Sequence, residues 1–281
     1  MSVLRSTGLI EAPATTVGAA LRHTRTAEAG LAPRGVIGRA LTCPAELLIP
    51  GDELRFALRA AGVPFELTTR IERAEADGTS SVLVSGPLPR LRHETALAAV
   101  GPRTLLTDSL SWTSPLGPLG KLADVVIGRG LVLDVLDARI RAVRDLAESW
   151  ASRPIVVGTA IVRSGSLLAQ QRSYPAADAG RWELPGGRVE PGESEQDAVV
   201  RECREELAID VEPTGALGTD VPLDNGMLLR IHTARPVEPA AEPKPVDHQA
   251  LRWVSAAELT DLDWLNTDRV LLHNMRGLLT G

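Results

Sequence analysis

Residues 187–209 read GRVEPGESEQDAVVRECREELAI, and the rest of the chain is arranged around them. Gly186-Gly187 follow Leu184-Pro185, Pro191-Gly192 mark a turn, and neither Pro nor Gly interrupts the run from there to Ile209. Ser194 is placed to cap a helix, with Asp197 three residues on as a short-armed capping box. Ala198, Cys203 and Leu207 then mark an apolar side, while Glu202, Glu205 and Glu206 crowd the other. Positions i, i+3 and i+4 are helix neighbours, so the three carboxylates share one face within a turn. Like charges so spaced destabilise a helix unless a cation collects them. A hard divalent cation suits such donors: Mg²⁺, with Mn²⁺ as the alternative, keeps few protein ligands and leaves room for phosphate oxygens. The bland alternative is a solvated acidic helix face.

The order of residues resembles the signature of the Nudix hydrolases, G-x5-E-x7-R-E-U-x-E-E-x-G-U, where U is bulky and apolar. Gly187, Glu193, Arg201, Glu202, Cys203, Glu205, Glu206 and Ile209 fall on it; Cys203 replaces a larger aliphatic residue and Ala208 the last glycine. Alanine there suggests a helix exit that does not demand a left-handed residue. The resemblance implies that Glu202, Glu205 and Glu206, with the carbonyl of Gly187, hold Mg²⁺ against bridging phosphates. It implies also that Glu202 acts as general base, and that Glu193 and Arg201 form an ion pair bracing loop to helix. The expected chemistry is in-line attack of water on phosphorus, the metal neutralising the leaving diphosphate.

The pieces LLAQQRS, AGRWELPGGRVEPGES, DHQALRWVS and WLNTDRVLL resemble the branch that cleaves (d)CTP and oxidised or methylated nucleoside triphosphates, such as 8-oxo-dGTP. By that likeness Asp247 stands where a late glutamate ligand is usual, contacting metal directly or through water. Arg172 would meet a phosphate and Asp268 the base edge, an acceptor suited to the exocyclic amine of cytosine. Asp268 has a plainer reading as a carboxylate at a helix N-terminus. Trp182, Tyr174 and Trp264 are the candidate stacking partners, with the core as the alternative for each tryptophan. Two other functions stay in view. One is hydrolysis of another nucleoside diphosphate-linked compound, disfavoured because no tyrosine follows the motif and Leu223-Asp224 stands where proline marks the ADP-ribose subgroup. The other is a hydrophobic-ligand sensor carrying a nucleotide-binding module.

At 281 residues, 44% hydrophobic and 23% charged, the chain has room for two domains. Residues 1–150 carry 17 Lys+Arg against 16 Asp+Glu, so +1, whereas 151–281 carry 13 against 20, so −7, and the net charge of −6 comes from the second half. An acidic domain repels a polyphosphate unless divalent metal inverts the field, and no basic stripe invites a nucleic-acid polymer. Cys43 and Cys203 are too few for a disulfide framework. With no leader pattern and no long apolar run, neither a membrane partner nor export is expected, and the cytosol is the expected compartment.

The expected architecture is an α+β domain over 1–150, Ser152-Arg153-Pro154 as a short join, and an α/β/α sandwich over 154–281. In the first half, a strand at 6–11, a helix at 13–22 and strands near 53–58, 65–72, 81–85, 93–99 and 104–111 are separated by Gly- and Pro-bearing turns. After SPLGPLG at 114–120, helical spacing runs through 122–150. That succession resembles the helix-grip fold of the polyketide-cyclase and START-like (SRPBCC) superfamily, which implies an apolar cavity and a hydrophobic small-molecule ligand. A filled core with a structural or homodimerising role is the alternative. His23 and His93 are candidates to line a pocket. In the second half, 155–162 and the strand to Gln171 form a hairpin, 211–221 and 227–237 two strands, 239–245 a mobile loop, 251–254 a strand, and 266–279 one final helix capped by Asn266 or Thr267.

Overall fold

The computed structural model describes residues 1–29, 36–42, 46–60, 63–114 and 129–281, which fall into two compact units, Met1–Ser152 and Arg153–Gly281. Cys43, the turn expected at 114–120 (save Ser114) and the expected helix start at 122–128 lie outside the described residues.

The first unit runs β1 (Ser2–Ile10), α1 (Ala14–Arg22), α2 (Thr24–Ala29), β2 (Val36–Thr42), β3 (Glu53–Ala60), β4 (Val63–Glu75), β5 (Gly78–Ser85), β6 (Arg90–Val100), β7 (Arg103–Thr113) and α3 (Arg129–Trp150). Its strands form one antiparallel sheet in the order β1-β7-β6-β5-β4-β3-β2. Period-two alternation decides which side chains face inward. In β6, Arg92 and Glu94 stand exposed and paired, with Glu72 joining them, while Thr95 and Leu97 are buried. Helix α3 buries Leu136, Ile140, Val143, Ala147 and Trp150, a 3.6-period stripe, and packs on β1, α1 and α2. Neither α2 nor β2 was expected. The chain re-enters helix at Thr24 because the Thr26 hydroxyl donates to the carbonyls of Ala20 (2.8 Å) and His23 (2.7 Å), satisfying the end of α1.

The second unit opens with the hairpin of β8 (Ile155–Arg163) and β9 (Ser166–Gln171), turned at Ser164 and Gly165 with φ of 51° and 73°. Then come β10 (Trp182–Glu183), β11 (Gly186–Arg188), α4 (Glu195–Leu207), β12 (Val211–Pro222), β13 (Leu228–Pro236), β14 (Ala250–Ser255), a 3₁₀ turn at Leu259–Asp261, α5 (Asn266–Arg269) and α6 (Leu272–Thr280). The sheet is mixed. Its path is β10-β9-β8-β13-β12, with β8 parallel to β13, β11 on β8 and β14 on β9. Val157, Ile161 and Leu168 of the sheet close over Ala198, Val199, Cys203 and Leu207 of α4, so the apolar side of α4 is spent on the core and its acidic side turns away. Among the described residues no helix is long and apolar enough to cross a membrane.

Three expectations need correcting. The last helix is two, α5 and α6, with Leu265 rather than a polar side chain at the first cap; Leu271, at the break between them, and Met275 are both fully buried. The loop at 239–245 is pinned: Lys244 N–H donates to Leu207 O (2.9 Å), Val246 N–H to Glu206 O (3.0 Å), and Arg163 Nη1 to Ala241 O (2.8 Å). It thereby supplies donors to carbonyls that end α4 without partners in the helix. Ala208 does adopt the left-handed conformation, φ 55° and ψ 35°, its N–H donating to Arg204 O at 3.1 Å. An L side chain there costs roughly 1–2 kcal/mol. Ala208→Gly is therefore expected to stabilise the second unit by about 1 kcal/mol, read as a higher urea midpoint at unchanged slope.

Candidate active site

Ser194 caps α4 as its spacing suggests: its Oγ accepts from Asp197 N–H at 3.1 Å and donates to the Asp197 carboxylate at 2.6 Å. Eight residues into the helix the acidic face begins, but its members are not equivalent. Glu202 and Glu206, one turn apart, are largely covered, at 12% and 17% side-chain exposure, whereas Glu205 stands at 60%. Burial, the largest influence on both, pushes the carboxyls of Glu202 and Glu206 above the usual range.

The loop ahead of the helix is stitched to it. Glu206 Oε2 accepts from Gly186 N–H (2.9 Å) and from Gln170 Nε2 (3.0 Å) at the end of β9. Arg201 binds Glu193 through Nε and Nη2 (2.9 and 3.0 Å) and donates to Arg188 O (2.9 Å), joining loop to helix. The same guanidinium reaches Glu202 (2.7 Å) and Glu205 (3.1 Å). These bonds, that to Glu193 foremost, hold the Glu193 carboxyl below its ordinary range and raise the guanidinium further. Gly187 passes so close that a Cβ on it would lie 2.1 Å from Glu202 Oε1. Gly187→Ala is thus expected to displace Glu202, costing about 1–3 kcal/mol of stability and at least tenfold in kcat, measured by unfolding and by turnover on one preparation.

Upstream, residues 182–186 are held from both sides. Trp182, half-buried, donates its N–H to Asp263 O (2.9 Å) and accepts from Leu265 N–H (2.8 Å). Leu184 N–H donates to Asp268 Oδ1 at 3.1 Å. Arg172 pairs with Glu183 at 2.5 Å. Glu183 in turn meets His248 Nε2 at 3.1 Å, and His248 lies 4.0 Å from Glu206 Oε1. Asp268 is 4% exposed; burial lifts its carboxyl to about 7, against the pull of the Leu184 N–H.

The expected residues are thus unequally placed. Gly187, Glu193, Arg201, Glu202, Glu205 and Glu206 come together. Arg172, Trp182 and Asp268 converge on the adjoining 182–184 segment. Asp247 is exposed, and its carbonyl, not its carboxylate, is engaged, by Ser173 Oγ at 2.5 Å. The residue against the carboxylates is its neighbour His248. Trp264 is no stacking platform: it is 1% exposed, with Nε1–H spent on Leu259 O at 2.7 Å. Gln170, Glu183 and His248 were missed as site residues. Each contacts the site across the sheet, and only Gln170, a buried polar residue closing an apolar strand, left a hint in the pattern.

Among the described residues no three His, Cys, Asp or Glu already converge as a metal cage. The donors nonetheless fit a hard divalent cation. They are carboxylate oxygens beside a backbone that only glycine lets approach so near, and the one thiol in the helix, Cys203, is fully buried with its pKa pushed up to about 12 by burial. Two buried polar atoms at the same spot, Gln170 Oε1 and His248 Nδ1, have no hydrogen-bond partner among the described residues.

Comparison with known proteins finds relatives of the second half of the chain. A putative 8-oxo-dGTP diphosphatase 2 of Mycobacterium tuberculosis (strain ATCC 25618 / H37Rv) is 42% identical over 130 residues, covering 45% of this chain and 91% of its own length. A CTP pyrophosphohydrolase of Escherichia coli (strain K12) is 33% identical over 123 residues, covering 44% of this chain and 91% of its own. The solution structure of the E. coli ORF135 protein is 32% identical, covers 46% of this chain and 91% of that one, and superposes with a TM-score of 0.40. The NUDIX domain model matches residues 152–275. The carboxylate helix and its glycine loop lie inside that span, and the chain belongs to the NUDIX domain family.

Proposed function

We propose that Arg153–Gly281 is a Mg²⁺-dependent nucleoside triphosphate pyrophosphohydrolase of the cytosolic pool, releasing a monophosphate and diphosphate from (d)CTP or an oxidised nucleotide such as 8-oxo-dGTP. The observation that carries it is the pair Glu202 and Glu206, kept as covered carboxylates one turn apart against Gly186-Gly187. A protein without use for the pair would not keep so costly an arrangement. The names of the relatives support the substrate class.

Glu202, Glu205, Glu206 and the Gly187 carbonyl would hold the metal, which when bound would neutralise the phosphate oxygens and the departing diphosphate. The other parts fall to this chain. Glu202, its carboxyl raised by burial, takes the proton from the attacking water as the new P–O bond forms and the bridging P–O bond breaks. Arg201, fixed by Glu193, holds the helix against the loop. Arg172 offers a phosphate a guanidinium aimed by Glu183, and Trp182 and Asp268 flank the base. Asp247, which is exposed, contributes through water. The test is a panel of dCTP, 8-oxo-dGTP, dATP and ADP-ribose with Mg²⁺. Hydrolysis of the first two is expected, lost in EDTA and restored by Mg²⁺ or Mn²⁺; ADP-ribose as the preferred substrate would favour the diphosphate-linked class instead.

For Met1–Ser152 the reading is a helix-grip domain of the SRPBCC kind that holds an apolar small molecule. Its support is the antiparallel sheet with α3 as a long final helix, and a cavity of about 320 Å³ between them, within the range of small-molecule sites.

A further inference from the structure

That cavity, on which the following rests together with the helix-grip reading, is not uniformly apolar. Phe56, Phe65 and Leu67 of the sheet and Leu136 of α3 give it hydrocarbon walls, and three basic side chains, Arg22, His93 and Arg139, also reach it. Among the described residues no aspartate or glutamate lines it. The acid that balances His93 and Arg139 sits behind them, whereas Arg22 answers to Glu75 and Asp52. Asp108, fully buried, lies directly across from Thr95 in the β6–β7 register. It takes Thr95 Oγ1 at 2.7 Å, His93 Nε2 at 2.7 Å and Arg139 Nη1 at 3.1 Å. Burial alone would raise this carboxyl, but the charges of His93 and Arg139 and the hydrogen bonds hold it far below its ordinary range, so it is an acceptor only and His93 Nε2 donates to it.

The consequence is a fixed guanidinium at the edge of an apolar chamber. Arg139 is 14% exposed and spends Nη1 on Asp108 and Thr95; among the described residues its Nε and Nη2 have no partner. A planar guanidinium already oriented on one side is prepared to meet a carboxylate on the other, and a charge-assisted bond made beside hydrocarbon is stronger than the same bond in water.

We propose that the first unit binds a monocarboxylate with an apolar body, the body filling the chamber between β3–β4 and α3 and the carboxylate resting on Arg139 beside His93. The polar end selects the head group and the volume limits the body.

The test uses the full chain, 8-anilinonaphthalene-1-sulfonate as the reporter, and two ten-carbon competitors of opposite charge. One reporter is expected to bind per chain, saturably, and to be displaced by decanoate but not by decyltrimethylammonium at the same concentration. Val135→Trp, which places a large ring from α3 into the chamber, is expected to abolish reporter binding. Arg139→Leu should weaken decanoate about tenfold or more. Because that change leaves Asp108 buried with fewer partners, the doubly altered chain Asp108→Asn, Arg139→Leu is measured beside it, with far-UV circular dichroism as the check on folding. Absence of saturable binding, equal displacement by the ammonium, or unchanged decanoate affinity in the folded double variant would each overturn the proposal. Turnover of dCTP by the same wild-type preparation reports on the second unit separately, so failure of one reading is not mistaken for failure of the other.

Discussion

Glu206→Gln is expected to lower Mg²⁺-dependent nucleotide hydrolysis by about 10²–10³-fold while raising the stability of the metal-free protein. The two effects have one cause. Glu206 is covered, and burial pushes its carboxyl above the usual range, so the charged form is held in the fold at a cost. A glutamine keeps one oxygen to accept from Gly186 N–H and Gln170 Nε2, the two bonds that fix its position. What it loses is the anion. Exposed Glu205 makes the useful contrast: Glu205→Gln should lose activity on the same scale without a comparable gain in unfolding midpoint, since water already solvates it. Steady-state turnover and metal-free urea unfolding on both variants decide the matter. Full turnover in both would remove the helix from the chemistry. Lost activity with a lower midpoint for Glu206→Gln would mean that the carboxylate serves the fold rather than a ligand.

How far the chain could be read from its residues follows from the range of the forces involved. Helix α4 was legible because its determinants are local: Ser194 at the cap, apolar residues at helical spacing, carboxylates one turn apart. The Glu193–Arg201 brace was legible for the same reason, being eight residues long and written in the motif. Glu183 and His248 were not, because 65 residues separate them and the contact exists only once β14 pairs with β9. Ala208 misled in a different way. Alanine carries no preference for left-handed backbone, so nothing in its identity announces φ of 55°; the burial of Leu207 and Ile209 on either side imposes it. The split of the last helix left no sign in the residues either, since Leu271 and Met275, four apart, would share a buried face in an unbroken helix as well. In the first unit, alternation located β3 to β7 well; of the two histidines named as pocket candidates, His93 lines the cavity, while His23 packs edge-on against Trp150 instead. Its partner Asp108, by contrast, looked like any polar residue in a strand.

Asp268→Asn is expected to flatten the pH dependence of the second unit's stability. In the folded chain burial raises the Asp268 carboxyl to about 7, and the N–H of Leu184 and the hydroxyl of Thr267 lower it only in part. A folded pKa above the unfolded value near 4 means that the folded state binds the proton more tightly. Its contribution is therefore fully present below pH 4, declines between pH 4 and 7, and is gone above that. The ceiling on the loss is roughly 4 kcal/mol, the span of about three pKa units. An amide keeps an acceptor for Leu184 N–H and has no charge to bury, so the variant should match wild type near pH 4 and exceed it at pH 8. Hydrogen exchange of the α4 amides at both values measures this without isolating the unit. Parallel pH profiles would show that solvent reaches the carboxyl. The same variant also separates the two roles proposed for this residue. If Asp268 accepts from a base amine, the ratio of dCTP to 8-oxo-dGTP turnover should shift by about tenfold or more, since a matched base contact is worth about 1–3 kcal/mol. If it serves only to hold Leu184, both substrates should change together.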